Sequence, residues 1–257
     1  MVTRYGTGIS GFIGSHLAKK VDVTHIPHEK IKSTRIKPFD FFYYLSSYGN
    51  MIQHTDEEKM FQANVLDLVT VLTKIKKIPF KCFFFMSTSS IMLKRQTTYS
   101  RMKRVAEELL LAYMERHNLP VCIAQPFSVT GVGEQSEHLI PTLLRAAKTG
   151  EIVNFVPQVT HDWIDVDDVV NGIISLTEHK ARGIFQLGTG IKTTNQQVLN
   201  LVEEVTGKKI NINVVESLRE YDSLDWVSYN YKARTYGWMP RVTLYNSIKQ
   251  QYEANKS

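Results

Sequence analysis

The chain has 257 residues, 43% of them apolar, a formal net charge of +6 and two cysteines. That length suits one large domain or a domain with a small appendage, and the apolar fraction is that of an ordinary globular protein. No run of about 18 apolar residues occurs, so no membrane span is expected; no CxxC or HExxH spacing supports a metal site.

Strands and helices alternate along the chain, the pattern of a mainly parallel sheet covered by helices. Residues 2–5 read as a short strand entering a glycine cluster, although Arg4 is out of place in a buried first strand, and 13–20 read as a helix. A second strand is expected over 21–26, whereas 30–38 is polar, basic and without a period. Residues 41–45 are an apolar run of strand length. Over 56–77 Val65, Leu68, Val69 and Leu72 recur at helical spacing; Pro79 stops that helix and 80–86 is a buried strand. The most regular helix spans 97–118, with Met102, Val105, Ala106, Leu109, Leu110 and Tyr113 on one face, and 121–125 is the next strand. After Gly131 the rhythm changes, with helices over 139–148, 167–178, 195–206 and 244–254 and short strands over 163–166, 184–187 and 209–215.

Cys82 and Cys122 lie in apolar runs and read as buried free thiols. The basic residues are scattered. Their densest cluster, Lys74-Ile75-Lys76-Lys77, ends a predicted helix, where cations suit the dipole, and that reading is preferred to a nucleic-acid patch. The first residues, Met1 to Gly6, lack the charged-then-apolar pattern of a secretory leader, which points to a cytoplasmic protein.

Gly6-Thr7-Gly8-Ile9-Ser10-Gly11-Phe12-Ile13-Gly14 fits two registers of a nucleotide-binding loop: Gly6, Gly8, Gly11 or Gly8, Gly11, Gly14. In both, glycine permits a tight turn and lets backbone N–H groups approach a pyrophosphate, which the following helix start favours. Farther on, Tyr99 and Lys103 stand four residues apart at the start of the long helix and share a face. A phenol titrates near 10, too high for a base at neutral pH. An ammonium within about 4–6 Å can lower it by roughly 1–3 units, and a bound nicotinamidium would add positive charge. Tyr99 could then exchange a proton with a hydroxyl or carbonyl while hydride moves. A YxxxK spacing arises by chance in a chain with twelve tyrosines; its order, after a glycine loop and an apolar strand ending in Ser87-Thr88-Ser89-Ser90, gives it weight.

These segments resemble the extended short-chain dehydrogenase/reductases, and within them the nucleotide-sugar epimerase/dehydratase family. Thr7 to Gly14 matches TGxxGFIG, which selects the second register. Tyr44-Leu45-Ser46-Ser47 resembles the HLAA strand end, Asn64-Val65-Leu66 the asparagine helix, and Tyr99 with Lys103 the YxxxK pair, with Thr88 at the Ser/Thr position. Gln125 to Gly131 resembles RPxNxYG, His161 to Asp168 RDFIHVDD, Phe185 to Gly190 YNxGTG, Arg219 with Asp222 the late RxxD segment, and Gly237-Trp238-Met239-Pro240 GWxP.

The resemblance implies an α/β fold, a Rossmann doubly wound parallel sheet with a small C-terminal substrate-binding lobe. Residues 1–130 with a return segment near 160–187 would form the core, and 131–159 with 188–257 the lobe. It implies an NAD(P)-dependent epimerase or 4-keto reductase acting on a nucleotide-diphosphate sugar, with Tyr99, Lys103 and Thr88 catalytic. Gly8, Ser10, Gly11, Phe12, Ile13, Gly14, Leu45, Ser46, Asn64, Tyr99, Lys103 and Pro126 would hold NAD or NADP. Thr88, Ser89, Ser128, His161 and Arg219 would meet the substrate, Arg219 at its diphosphate. A homodimer through the helices over 56–77 and 97–118 is implied as well.

Four departures stand out. His161 and Ser128 replace the usual arginine and asparagine. The stretch between Lys20 and Asp40 is shorter than in the family, and no acidic residue stands at the end of 21–26; Lys30, Lys32 or Arg35 could meet a 2′-phosphate there. Ser89 and Ser90 stand where dehydratases carry Asp-Glu, which disfavours dehydration. A catalytically silent nucleotide-binding scaffold is the alternative reading.

Overall fold

The computed structural model describes residues 2–51, 53–216 and 223–256. In chain order the first half carries β1 (Arg4–Thr7), α1 (Phe12–Lys20), β2 (Thr24–His25), β3 (Phe41–Tyr44), α2 (Glu57–Phe61), α3 (Asp67–Ile75), β4 (Cys82–Met86), α4 (Thr98–His117) and β5 (Val121–Pro126). Then follow β6 (Ser128–Thr130), α5 (Leu139–Thr149), β7 (Val153–Phe155), β8 (Thr160–His161), β9 (Trp163–Asp165), α6 (Val166–Glu178) and β10 (Gly183–Leu187). The chain ends with β11 (Thr193–Thr194), α7 (Asn195–Thr206), β12 (Ile212–Val214), α8 (Tyr231–Arg234) and α9 (Leu244–Ala254).

Six of these strands pair in the order β10, β5, β4, β3, β1, β2, every pair parallel. Strands covered on both faces are apolar throughout, and β3, β4 and β5 are buried at every position. Successive side chains go to opposite faces. Phe42, Tyr44, Phe83, Phe85, Val121 and Ile123 pack with Leu68, Val71, Leu72, Ala106 and Leu110 of α3 and α4. Phe41, Tyr43, Cys82, Phe84, Cys122 and Ala124 pack with Leu17, Val169, Val170 and Ile173 of α1 and α6. Arg4 is accommodated in β1 by lying over the Phe41 ring, 5.7 Å from its centroid.

The sheet stops early on the β2 side. The strand expected over 21–26 shrinks to two exposed residues, Thr24 and His25, paired with Tyr5 and Gly6. A single 3-10 turn, His28–Lys30, follows, and the chain then runs without a helix to Asp40, which accepts from the Thr3 N–H and pairs with Lys81. This stretch is pinned from α3: the Lys74 ammonium donates to the carbonyls of Ile31, Lys32 and Thr34 at 2.6, 2.7 and 2.8 Å. Lys74, expected to serve its helix's own C-terminal end, therefore serves a neighbouring loop.

The helix expected over 56–77 is continuous but is interrupted by a π-helical turn, Gln62–Leu66, between α2 and α3. Such bulges re-aim side chains. Here the turn buries Asn64, whose amide N–H₂ donates to the carbonyls of Tyr48 (2.6 Å) and Met60 (2.8 Å).

Beyond β5 a third apolar cluster joins Ile140, Leu143 and Leu144 of α5, Phe155, Trp163, Val198 and Val202 of α7, and Ile248 of α9. Buried carboxylates tie it to the sheet. Asp165 caps α6 by accepting from the Asp167 N–H and takes the Ser247 hydroxyl at 2.6 Å. Asp168 takes the N–H groups of Arg241 and Val242, and its carbonyl takes the Trp238 indole N–H. Asp162, fully buried, collects Thr189 and Ser228, each through backbone N–H and hydroxyl, together with the Gly190 N–H. The two-residue and three-residue strands here pair β8 with β11, β7 with β12 and β6 with β9.

Candidate active site

A cavity of about 990 Å³ opens along the C-terminal ends of β1, β3, β4 and β5, where open α/β sheets bind their ligands. Its first wall is the glycine turn. Gly8 has φ +71°, and a Cβ there would lie 2.5 Å from the Ser46 nitrogen; a Cβ on Gly14 would lie 2.2 Å from the Gly8 carbonyl oxygen. These two positions admit only glycine, so the Gly8, Gly11, Gly14 register is the one the turn uses. Helix α1 starts at Phe12 with Gly11 as a cap that has no side chain to offer. Its first amides are left to an incoming anion. Ser10, Gly11, Phe12, Ile13 and Gly14 all line the cavity, as do Leu45 and Ser46 from the end of β3 and Pro126 from the end of β5.

Thr88, Tyr99 and Lys103 line the same cavity. Thr97 caps α4 by accepting from the Ser100 N–H, which sets Tyr99 in the first turn and Lys103 one turn on. The Lys103 nitrogen is 5.9 Å from the Tyr99 ring centroid. It donates to the Met86 carbonyl at 2.8 Å and lies 4.8 Å from the Phe85 ring centroid. The Thr88 hydroxyl is 3.0 Å from that of Ser90 and accepts from the Ser90 N–H.

The electrostatics differ from the expectation of an acidified phenol. Burial pushes Tyr99 up to about 12, and a hydrogen bond with Ser47 offsets this only in part. Lys103, 1% exposed, is itself driven down to about 7 by burial, with Glu107 pulling it back up. In this pocket desolvation outweighs the Ser47 hydrogen bond at Tyr99 and the Glu107 charge at Lys103. The phenol is therefore not poised as a base in the protein alone; added positive charge over the pocket is what would poise it.

Glu107 is a site-supporting residue that the sequence reading missed. It is buried, its carboxylate held by the Gln125 amide N–H₂ at 2.9 and 3.1 Å. Burial raises its pKa first, and hydrogen bonds from Ser87 and Gln125 oppose the rise. Tyr99, Lys103 and Glu107 recur at every fourth residue of one helix, a spacing that could have found it.

On the β5 and β9 side, the Ser128 hydroxyl is 2.9 Å from His161 Nδ1, and both residues line the cavity. The His161 ring sits 5.1 Å from that of Trp163 and 5.2 Å from that of Trp226. Glu134 and His138 line it too and went unpredicted: the Glu134 carboxylate accepts from the Thr130 hydroxyl at 2.7 Å and is 3.0 Å from His138 Nδ1. Two expected residues are not on the wall. Asn64 is turned onto Tyr48 and braces the loop after β3 rather than lining the cavity. Ser89 opens the 3-10 turn Ser89–Met92 and is fully buried, and Ser90 takes its place at the cavity. Arg219, with Asp222, lies outside the described residues.

A parallel sheet of this order, a glycine turn at its first crossover and a buried tyrosine–lysine pair define a dinucleotide-binding fold of the short-chain dehydrogenase type. The model of the "NAD dependent epimerase/dehydratase family" matches residues 22–188, and the chain belongs to that family. It is 25% identical over 234 residues to a UDP-glucose 4-epimerase of Rhizobium leguminosarum bv. trifolii, covering 77% of this chain and 71% of that one. Alignments with other curated relatives span about half of those proteins' length. Among solved structures, MoeE5 in complex with UDP-glucuronic acid and NAD superimposes with a TM-score of 0.89 at 22% identity, over 99% of both chains. RMD from Pseudomonas aeruginosa complexed with NADPH gives 0.84 at 17% identity, over 99% of this chain and 100% of that one.

Proposed function

We propose that the chain is an NAD(P)-dependent enzyme acting on a nucleotide-diphosphate sugar, as a 4-epimerase or a 4-keto reductase. The observation that carries this reading is that one cavity is lined by the glycine turn, by Thr88, Tyr99 and Lys103, and by the Ser128–His161 pair. Gly8 and Gly14 leave a cradle that any Cβ would fill, which fits a dinucleotide pyrophosphate. When bound, the nicotinamide supplies or accepts hydride. The chain's own residues handle the proton: the Tyr99 oxygen gives it to the sugar oxygen in reduction and takes it in oxidation. Lys103, in its protonated form, places positive charge beside the phenol, and the Thr88 hydroxyl orients the reacting oxygen. The serines that follow Thr88 offer no carboxyl group to act as the acid or base of water elimination, which supports epimerisation or reduction over dehydration. The UDP-sugars named with the similar proteins support the substrate class.

In this reading residues 1–130 with 160–187 form the cofactor core, and 131–159 with 188–257 a lobe that closes over the sugar nucleotide, with Arg219 at its diphosphate. Exposed Phe61, Leu66 and Val105 on the helices over 57–75 and 98–117 support a homodimer through that face. Free buried cysteines go with a cytoplasmic setting.

Tyr99→Phe tests the assignment. Turnover of UDP-sugars should fall by about 10²–10⁴-fold, while reduced-dinucleotide fluorescence reports unchanged binding. Undiminished turnover would remove Tyr99 from the chemistry, and a chain that binds dinucleotide without turning over any sugar nucleotide would be the silent scaffold instead.

A further inference from the structure

The shortened edge of the sheet brings a pair of groups to the cavity that the proposed chemistry does not use. β2 runs parallel to β1 with Gly6 opposite His25, so the chain leaves β2 beside the glycine turn. Three residues on, His28 opens the 3-10 turn and lines the same cavity as Gly8, Ser10 and Gly11. In dinucleotide-binding sheets a carboxylate at this place takes the ribose hydroxyls, whereas a cation nearby accommodates a 2′-phosphate.

No carboxylate occupies the place here. Asp22 and Glu29 are exposed and do not line the cavity. The acids that do, among the described residues, are engaged elsewhere: Glu57 with the Thr98 hydroxyl, Glu134 with Thr130 and His138. Asp67 of α3 stands behind the imidazole. Its side chain is 3% exposed, one oxygen takes the Gln62 amide N–H₂ at 2.6 Å, and the other lies 2.5 Å from His28 Nδ1. Nδ1 faces this carboxylate as an ion-pair neighbour rather than through a formed hydrogen bond, so Nε2 is the ring atom left for a ligand, and the His28 side chain is 52% exposed. The cations anticipated for this role do not reach: Lys30, Lys32 and Arg35 do not line the cavity, and Lys74 holds the carbonyl of Lys32.

We propose that His28, braced by Asp67, reads the 2′ position of the adenosine ribose and favours the 2′-phosphorylated dinucleotide. A charged imidazole whose Nδ1 faces a carboxylate presents Nε2 as a donor to the cavity, and a 2′-phosphate brings the negative charge that a hydroxyl lacks. The missing carboxylate removes the like-charge repulsion by which such sites reject that phosphate. The Lys74 clamp on residues 31–34 fixes the loop that carries the imidazole.

This inference rests on the dinucleotide reading above, and the test separates the two. NADH and NADPH are titrated into the full chain, wild type and with His28→Ala or His28→Asp, with nicotinamide fluorescence as readout. Both substitutions take a partner from the buried Asp67 carboxylate, so far-UV circular dichroism and a thermal melt first establish that each variant is folded, and the affinity ratio of the two dinucleotides, rather than either affinity alone, is the readout. Wild type should bind NADPH roughly tenfold tighter than NADH, the effect of one charge-assisted contact. His28→Ala should bring the two affinities together by weakening NADPH, and His28→Asp should reverse the order. Equal or tighter NADH binding by wild type, or an unchanged ratio in His28→Ala, overturns the role of His28 and leaves the dinucleotide site standing. Binding of neither dinucleotide overturns the dinucleotide reading and this inference with it.

Discussion

Lys103 carries the sharpest conflict between stability and use. A lysine buried to 1% exposure with its pKa driven down to about 7 binds fewer protons when folded than when unfolded. Between that value and the unfolded one, near 10.4, the unfolded chain holds more protons, so this group makes stability rise as pH rises. Below about 7 both states are protonated and the penalty of burying the charge is constant. Lys103→Met removes the contribution. Thermal melts of wild type and variant at several pH values should show wild type gaining on the variant from pH 7 to pH 10; parallel curves would mean the ammonium is solvated in the folded protein. A group kept at such a cost belongs to function rather than packing, which agrees with its place beside Tyr99.

The pair formed by α3 and the loop over 31–34 shows how an element can be lost without opening the fold. The family's strand–helix–strand on this side is reduced to a two-residue strand and one turn, and three carbonyls that a helix or strand would have satisfied are taken by one ammonium. Lys74→Met leaves those carbonyls to water. Hydrogen bonds to a charged donor are worth more than neutral ones, and with partial exposure taken into account the loss should be about 2 kcal/mol. Urea unfolding measures it, and a change within error of zero would mean the loop is held by Ile31 and Ile36 alone. The π turn at Gln62–Leu66 acts at the same level. By turning Asn64 onto Tyr48 it shapes the cavity rim through backbone carbonyls, with no side-chain contact of its own.

Across the molecule, α2, the π turn after it and α4 carry exposed apolar side chains, with Phe61 41%, Leu66 40% and Val105 45% exposed. Exposed apolar groups gathered on one face mark an interface more often than singly scattered ones do. Val105→Glu places a charge on the exposed side of α4. Sedimentation should show wild type as a dimer and the variant as a monomer; a monomeric wild type at micromolar concentration would remove the dimer from the proposal. Because α4 also carries Tyr99 and Lys103, a dimer through this face would brace the catalytic helix from outside.

The tyrosine–lysine helix and the parallel sheet were legible in the residue order, because strand burial and helical period are set by neighbours a few positions apart, whereas the glycine register and the shortened stretch before Asp40 were legible only through the family resemblance. What stayed hidden depended on residues far apart in the chain: Asp67 behind His28, Gln125 on Glu107, Lys74 under residues 31–34. Ser89 and Asn64 illustrate the other side of the same limit. Their types suited the cavity, but one residue of 3-10 phase and one π turn rotated them away, and no local pattern records that rotation. Desolvation decided the rest: whether Lys103 acidifies Tyr99 is a question of how much water the folded pocket excludes, and that quantity exists only once distant segments have closed around it.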